Sequence, residues 1–186
     1  KVSMKRDLEQ QLDAYSGQME DLRDTSKTEL PYSSEKPVDE ALAIIQTYKN
    51  KAAKASARQS QLATGLAVFG ATSHEHKDLL ALTKDLDFLE QIWNITIEWG
   101  AQWESWKTGL FSELNIDDLD TVAGTFMKRV GKLGRDIKKW RVWESMKGEL
   151  DKFRETVPLI ADLRNKAMRS RHWAALQERI GKEFNP

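Results

Sequence analysis

The sequence predicts an all-α protein, an elongated stack of long antiparallel helices with short connecting turns and a short C-terminal helix. Apolar residues recur at three- and four-residue steps through most of the 186 residues, as one face of a helix requires. No window alternates apolar and polar side chains as a strand would. Polar connections containing proline or glycine separate the periodic runs, and runs near 30 residues are long for the core that such a chain can build.

The first helix is marked by Leu8, Leu12, Tyr15, Met19 and Leu22 and is expected to end near Asp24. Residues 25–36, with Ser26, Pro31, Ser33 and Ser34, then read as a connection leading to Pro37. The second helix carries Val38, Leu42, Ile45, Tyr48, Ala52, Ala55, Gln59, Leu62, Leu66 and Phe69. Its small middle residues let a neighbour approach closely, and Gly70 reads as its stop. A turn over 71–75 leads to a third helix that starts near His76.

Leu79, Leu82, Leu86, Leu89, Trp93, Ile97, Gly100 and Trp103 give this third helix one face, with Trp99 and Trp106 flanking it. At 1.5 Å per residue it spans roughly 45 Å. Tryptophans spread around it imply neighbours on more than one side. Gly109 and Asn115 bracket the next turn. The fourth helix, from near Asp117, shows Leu119, Val122, Phe126, Val130, Leu133 and Ile137, and Gly131 and Gly134 weaken its second half. The fifth presents Trp143, Met146, Leu150, Phe153 and Val157, then meets Pro158, which is expected to kink it or to start a new segment. A last helix, capped by Ser170 and stopped by Gly181, turns Trp173, Leu176 and Ile180 to one side.

Composition narrows the function classes. With 29 basic and 29 acidic residues the net charge is zero, which removes the global electrostatic case for nucleic acid or anionic membrane. Cysteine is absent, so disulfides and thiolate metal sites are excluded. No apolar run approaches the roughly 20 residues that span a bilayer, which predicts a soluble chain. The start at Lys1 and the continuation through Phe184-Asn185-Pro186 suggest a slice of something longer.

Charge is segregated along the chain. Residues 75–120 hold 11 acidic and 3 basic side chains, a net of −8, and residues 128–154 hold 10 basic and 4 acidic, a net of +6. Adjacent antiparallel helices of opposite sign would attract, so the segregation is expected to be internal. The basic run Lys128, Arg129, Lys132, Arg135, Lys138, Lys139 and Arg141 is interleaved with Trp140. It reads as a helix face with Trp140 or Trp143 turned inward and the cations meeting the acidic third helix.

No constellation carries catalysis. The segment Gly65 to Thr72 approaches a phosphate-binding loop, but Ala71 replaces the required lysine and a helix precedes it. His74-Glu75-His76 could seed a metal site only with further ligands, and His172 is the one other histidine. An exposed polar turn is the simpler reading. Asp117, Asp118 and Asp120 suit the start of a helix, where negative charge favours the dipole. No serine sits in a G-x-S-x-G elbow, and few polar groups accompany the seven tryptophans in the manner of a ligand pocket. No catalytic, cofactor-binding or metal-ligating residue is assigned.

The C-terminal third carries a pattern of its own: a helix ending near Pro158-Leu159, then Leu163-Arg164, then Arg171-His172-Trp173 opening a short amphipathic helix. This resembles the start of the linker in dynein heavy chains. The resemblance extends from about Leu86 to Phe184 and also rests on the leucine-rich helix with Trp93, Trp99, Trp103 and Trp106. Lys166 stands where that family often has proline, and Ser170 where it commonly has glutamate or proline; neither breaks a helix.

The resemblance implies a tail-to-linker junction, with residues 1–75 as a helical hairpin at the end of the tail and 76–186 as the N-terminal part of the linker. It marks Trp93, Trp99, Trp103, Pro158, Leu163, Arg164, Arg171, His172 and Trp173 as structural motif residues. Arg164 and Arg171 would tie helix ends to carboxylates or carbonyls, and His172 would be a packed, hydrogen-bonded side chain at a helix start. The parent would be an ATP-hydrolysing microtubule motor that binds ATP and Mg²⁺ in a AAA+ ring elsewhere in the chain. Its partners would be the tail helices, the remaining linker, that ring, and other heavy, intermediate or light chains, with no nucleic acid and no membrane. The setting would be the cytoplasm and cytoskeleton, with the axoneme of a cilium or flagellum favoured. Gly131, Gly134 and Pro158 are the expected points of flexure. The competing reading is a stand-alone helical scaffold or coiled-coil interaction module.

Overall fold

A computed structural model describes residues 2–110, 113–165 and 167–180, with Val2 and Ile180 by backbone alone. Six helices follow one another: α1 (Val2–Glu29), α2 (Val38–Ala67), α3 (Lys77–Thr108), α4 (Ile116–Ile137), α5 (Arg141–Leu163) and α6 (Ser170–Ile180). There is no strand among the described residues. The all-α expectation holds. The chain forms two compact units, Lys1–Trp93 and Asn94–Pro186, and α3 contributes to both.

In the first unit α2 runs antiparallel to both its neighbours. Tyr15 of α1 meets Ala55 and Gln59 of α2, and Tyr48 meets Glu29, so the pairs run in opposite senses. Lys49 meets Glu90 of α3, while the Gln59 side chain bonds the backbone of His74 and His76. Tyr15, Met19, Ile45, Tyr48, Leu62, Leu82, Leu86 and Leu89 fill the core. The small middle of α2 is buried at Ala52 and Ala55, as its role in close packing demands.

The first helix runs five residues past its expected end. Hydroxyls of Thr25, Ser26 and Thr28 turn back onto carbonyls three or four residues earlier, which satisfies them inside a helix. Ser26 is fully buried and Leu30 nearly so, continuing the Tyr15, Met19, Leu22 spacing by two further turns. The connection begins only there, and Pro31 gives its carbonyl to the Trp93 indole N–H at 3.0 Å.

The Gly65 to Thr72 segment is a helix stop. Gly70 has φ +72°, its N–H bonds the Ala67 carbonyl, and the Ala71 N–H bonds the Leu66 carbonyl, which is the Schellman closure. The histidine turn is structural on one side: His76 packs edge-on against Tyr15 at 6.2 Å, while His74 is exposed.

In the second unit α4 runs antiparallel to α5, with Trp143 against Val130 and Arg154 near Asp120. The second half of α3 runs antiparallel to α4, Glu98 pairing with Arg129 and Trp99 lying on Phe126. Buried positions on α4 are Leu119, Ala123, Phe126, Val130, Leu133 and Ile137, and on α5 Val142, Met146, Leu150, Phe153 and Val157. Asn115 opens α4 by accepting the Asp117 N–H at 3.0 Å, and Asp117 and Asp118 sit in its first turn.

α5 continues through Pro158 to Leu163 and no new segment starts there. Pro158 is solvent-exposed, and its missing N–H removes only the bond to the Arg154 carbonyl, so the buried stripe before it holds the helix. The expected stop at Gly181 and the Lys166 position lie outside the described residues, as does the Ile180 side chain.

All three tyrosines have phenols whose pKa is raised. Burial pushes up Tyr15, helped by the Glu75 charge; burial and the Asp85 carboxylate raise Tyr32; burial and the Glu29 hydrogen bond raise Tyr48. A raised folded-state pKa stabilises the fold fully below the ordinary tyrosine value, and that contribution is lost as pH rises through the folded value. Spectrophotometric titration is therefore expected to show the phenolate signal displaced to pH above the ordinary tyrosine value of ~10. Tyr32→Phe should cost about 1–2 kcal/mol at neutral pH and flatten the alkaline loss.

Candidate functional site

The residues singled out in the sequence fall into three places. Trp93 belongs to the first unit, 2% exposed and tied to the Pro31 carbonyl, so it locks the connection between α1 and α2 onto α3. Beside it lies a polar network that the sequence did not reveal. Arg23 and Tyr32 both donate to the same Asp85 oxygen, at 2.8 and 3.0 Å, joining α1, the connection and α3. Charge on Asp85 is met from two sides, which is what a half-buried carboxylate requires. No periodicity signals such a network, because its members stand 53 and 62 residues apart from Asp85.

The second place is aromatic. Trp99 is 5% exposed and packs edge-on against Trp106, Phe126 and Phe153, with ring centroids 5.8, 5.4 and 5.0 Å away. Trp106 stacks on Phe153 at 5.1 Å and Trp103 meets the same ring edge-on at 5.7 Å. The expected face is displaced here. Ile95 and Trp99 are buried, whereas Ile97 and Trp103 are 37% and 40% exposed. A heptad count drifts about 20° per seven residues from the 3.6-residue period, so three heptads on from Leu82, Trp103 falls off the buried stripe. Glu98, on the rim, is gripped by both terminal nitrogens of Arg129, and that hydrogen bonding holds its carboxyl below the ordinary range.

The third place is the link from α5 to α6. Leu163 ends α5, and the Arg164 N–H bonds back to the Ile160 carbonyl at 3.1 Å. Asn165 folds the link by accepting the Ala167 N–H on its side chain and the Met168 N–H on its carbonyl. The cap of α6 is not Ser170. His172 Nδ1 accepts the Arg169 N–H at 3.0 Å while the Arg169 carbonyl accepts from Trp173, so the imidazole plays the part that glutamate plays in a capping box. A neutral imidazole has one acceptor nitrogen, which leaves Nε2 carrying the proton and makes the neighbouring Arg171 nitrogen a contact rather than a bond. Leu163, Met168, His172 and Leu176 line one open groove here, and Trp173 is half-buried.

Gly131 and Gly134 have different roles. A Cβ on Gly131 would meet open space, whereas one on Gly134 would stand 2.7 Å from the Trp143 ring. Gly134 thus admits the indole whose N–H bonds the Val130 carbonyl at 2.9 Å. Among the described residues no group of three or more His, Cys, Asp or Glu could hold a metal, and no helix is long and apolar enough to cross a membrane.

Residues 79–186 match the family model described as dynein heavy chain, N-terminal region 2. The chain belongs to the dynein heavy chain family. It is 41% identical over 175 residues, 94% of its length, to the dynein-1-beta heavy chain of the flagellar inner arm I1 complex from Chlamydomonas reinhardtii. It is 37% identical over 129 residues, 68% of its length, to human dynein axonemal heavy chain 2, and 30% identical over 102 residues, 55% of its length, to the dynein alpha chain of the flagellar outer arm from Chlamydomonas reinhardtii. The chain spans 4%, 3% and 2% of those proteins. The matched region of this dynein segment holds the aromatic cluster, the α5–α6 link and the His172 cap together.

The two glycines give a direct check on packing. Gly134→Ala should destabilise the chain by about 1–3 kcal/mol through the Trp143 clash, and Gly131→Ala should stabilise it by up to about 1 kcal/mol. Urea denaturation followed by tryptophan fluorescence measures both.

Proposed function

We propose that this chain is the tail-to-linker junction of an axonemal dynein heavy chain and that it carries force between an ATP-hydrolysing AAA+ ring and the tail. Residues 1–75 end the tail and 76–186 begin the linker. ATP and Mg²⁺ act in the ring, and the chain's partners are the rest of the same heavy chain and other heavy, intermediate or light chains of the complex. The observation that carries this reading is the 41% identity across nearly the whole chain to a flagellar inner-arm heavy chain.

The physical features suit a load-bearing part. α3 is one helix of 32 residues that belongs to both compact units. Buried tryptophans on it, Trp93 and Trp99, tie it into each unit by large apolar contacts. A packed helix resists bending, so any flexure concentrates where hydrogen bonds or side chains are missing. Gly131 and Pro158 fit that description. Gly134 is held against Trp143 and bends only with that contact.

Transmission is separable from chemistry in the full motor. Gln91 and Asn94 are exposed positions on α3 at the division between the units. Gln91→Gly with Asn94→Gly loosens the helix by roughly 1 kcal/mol per glycine without touching the core. The full heavy chain carrying both should glide microtubules more slowly while its ATP turnover is unchanged. Equal gliding speed would overturn the force-bearing role.

A further inference from the structure

The outer face of α4 carries a charge that the fold leaves unanswered. Lys128, Lys132 and Arg135 follow at steps of four and three, so they stack on one side of the helix, and Lys138 and Lys139 continue the charge into the next turn. That side is opposite to Leu119, Ala123, Phe126, Val130, Leu133 and Ile137, which face the core. The sequence predicted that the cations of this run meet the acidic third helix. Arg129 pairs with an acid there, Glu98. Lys128, Lys132, Arg135, Lys138 and Lys139 are exposed and make no side-chain ion pair or hydrogen bond among the described residues.

Elsewhere some lysines have local partners, while exposed Lys54, Lys77 and Lys152 stand singly on their helices without a side-chain ion pair among the described residues. Lys5, Lys27, Lys36, Lys107 and Lys147 each meet an acid three or four residues away. The α4 stripe differs in that its cations lie together, Lys128, Lys132 and Arg135 sharing one side of the helix. The helix dipole favours cations in the last turn, which explains Arg135 and its followers but not Lys128, more than two turns before the end. Gly131 stands between Lys128, Lys132 and Arg135 with open space where a side chain would be, and the four residues line one shallow concavity. An anionic side chain entering it would meet three cations at once.

We propose that this stripe docks an acidic segment of a protein, laid along α4 with carboxylates at helical spacing and one of them seated over Gly131. The three cations span roughly 10 Å of helix, a match for two turns of an acidic helix. The chemistry disfavours the other polyanions. Trp143 points inward at the Val130 carbonyl, and the face made by Thr121, Thr125, Lys128, Gly131, Lys132 and Arg135 holds no aromatic side chain on which bases could stack. Thr121, Thr125, Lys128, Lys132 and Arg135 on that face carry no large apolar side chain to enter a lipid headgroup layer. The inference does not depend on the chain bearing force.

Zero-length carbodiimide cross-linking of the full heavy chain in its assembled complex, read by mass spectrometry, tests it. The Lys49–Glu90 pair, 2.5 Å apart within the first unit, supplies an internal control link. Links should join Lys128, Lys132 or Lys139 to aspartate or glutamate outside residues 1–186. They should fade with added salt and vanish in the triple variant K128E/K132E/R135E, while the control link persists. No link at the stripe, with the control link formed, overturns the proposal. So does a stripe that RNA or anionic vesicles shield from amine labelling but that never joins a protein carboxylate.

Discussion

Burial along α3 is the constraint on which the rest depends. Leu79, Leu82, Leu86, Leu89, Ile92, Trp93, Ile95 and Trp99 are all at most 5% exposed on this one helix. Each such side chain contributes roughly 1.5–3 kcal/mol of transfer free energy, before the conformational entropy that opposes it. α1 and α2 close over the first half, α4 and α5 over the second. Without disulfides or a metal site among the described residues, apolar packing has to hold both units.

Polar contacts then specify what apolar packing leaves loose. The Arg23–Asp85–Tyr32 network and the Trp93 bond to Pro31 fix the α1–α2 connection, which contains two prolines and has little periodicity of its own. In the second unit the Trp143 bond to Val130, admitted by Gly134, sets how closely α5 approaches α4. Among the described residues no buried side-chain nitrogen or oxygen lacks a partner, which is the condition for such bonds to specify a fold rather than weaken it.

Helix number, order and most of the buried stripes were legible in the sequence because spacing at 3.6 residues is a strong local signal. Errors arose where a local rule met a tertiary one. Ser26 reads as loop, yet its hydroxyl is satisfied within the helix and the core takes the rest. Trp103 continues a heptad count that the 3.6-residue period does not keep, so Trp99 takes the buried place. Ser170 looks like a cap by type, but the histidine three residues beyond Arg169 supplies the acceptor. The motif residues were visible as a pattern, whereas the partners of Trp99 on α4 and α5 were not, since Phe126 and Phe153 meet it only through tertiary packing. The unpaired cations of α4 were legible as a charge run, and only side-chain placement separated Arg129 from the others.

The central claim is that α3 stays one helix where the two units divide. Native-state hydrogen exchange on the full heavy chain, resolved over residues 86–103, measures this directly. The account predicts that amides from Gln91 to Ile97 exchange as slowly as those beside Leu86 and Trp99, because their opening requires loss of packing in both units. Fast exchange confined to Gln91–Ile97, with slow exchange on either side, would mean that the helix opens locally at the division and would contradict a single continuous helix.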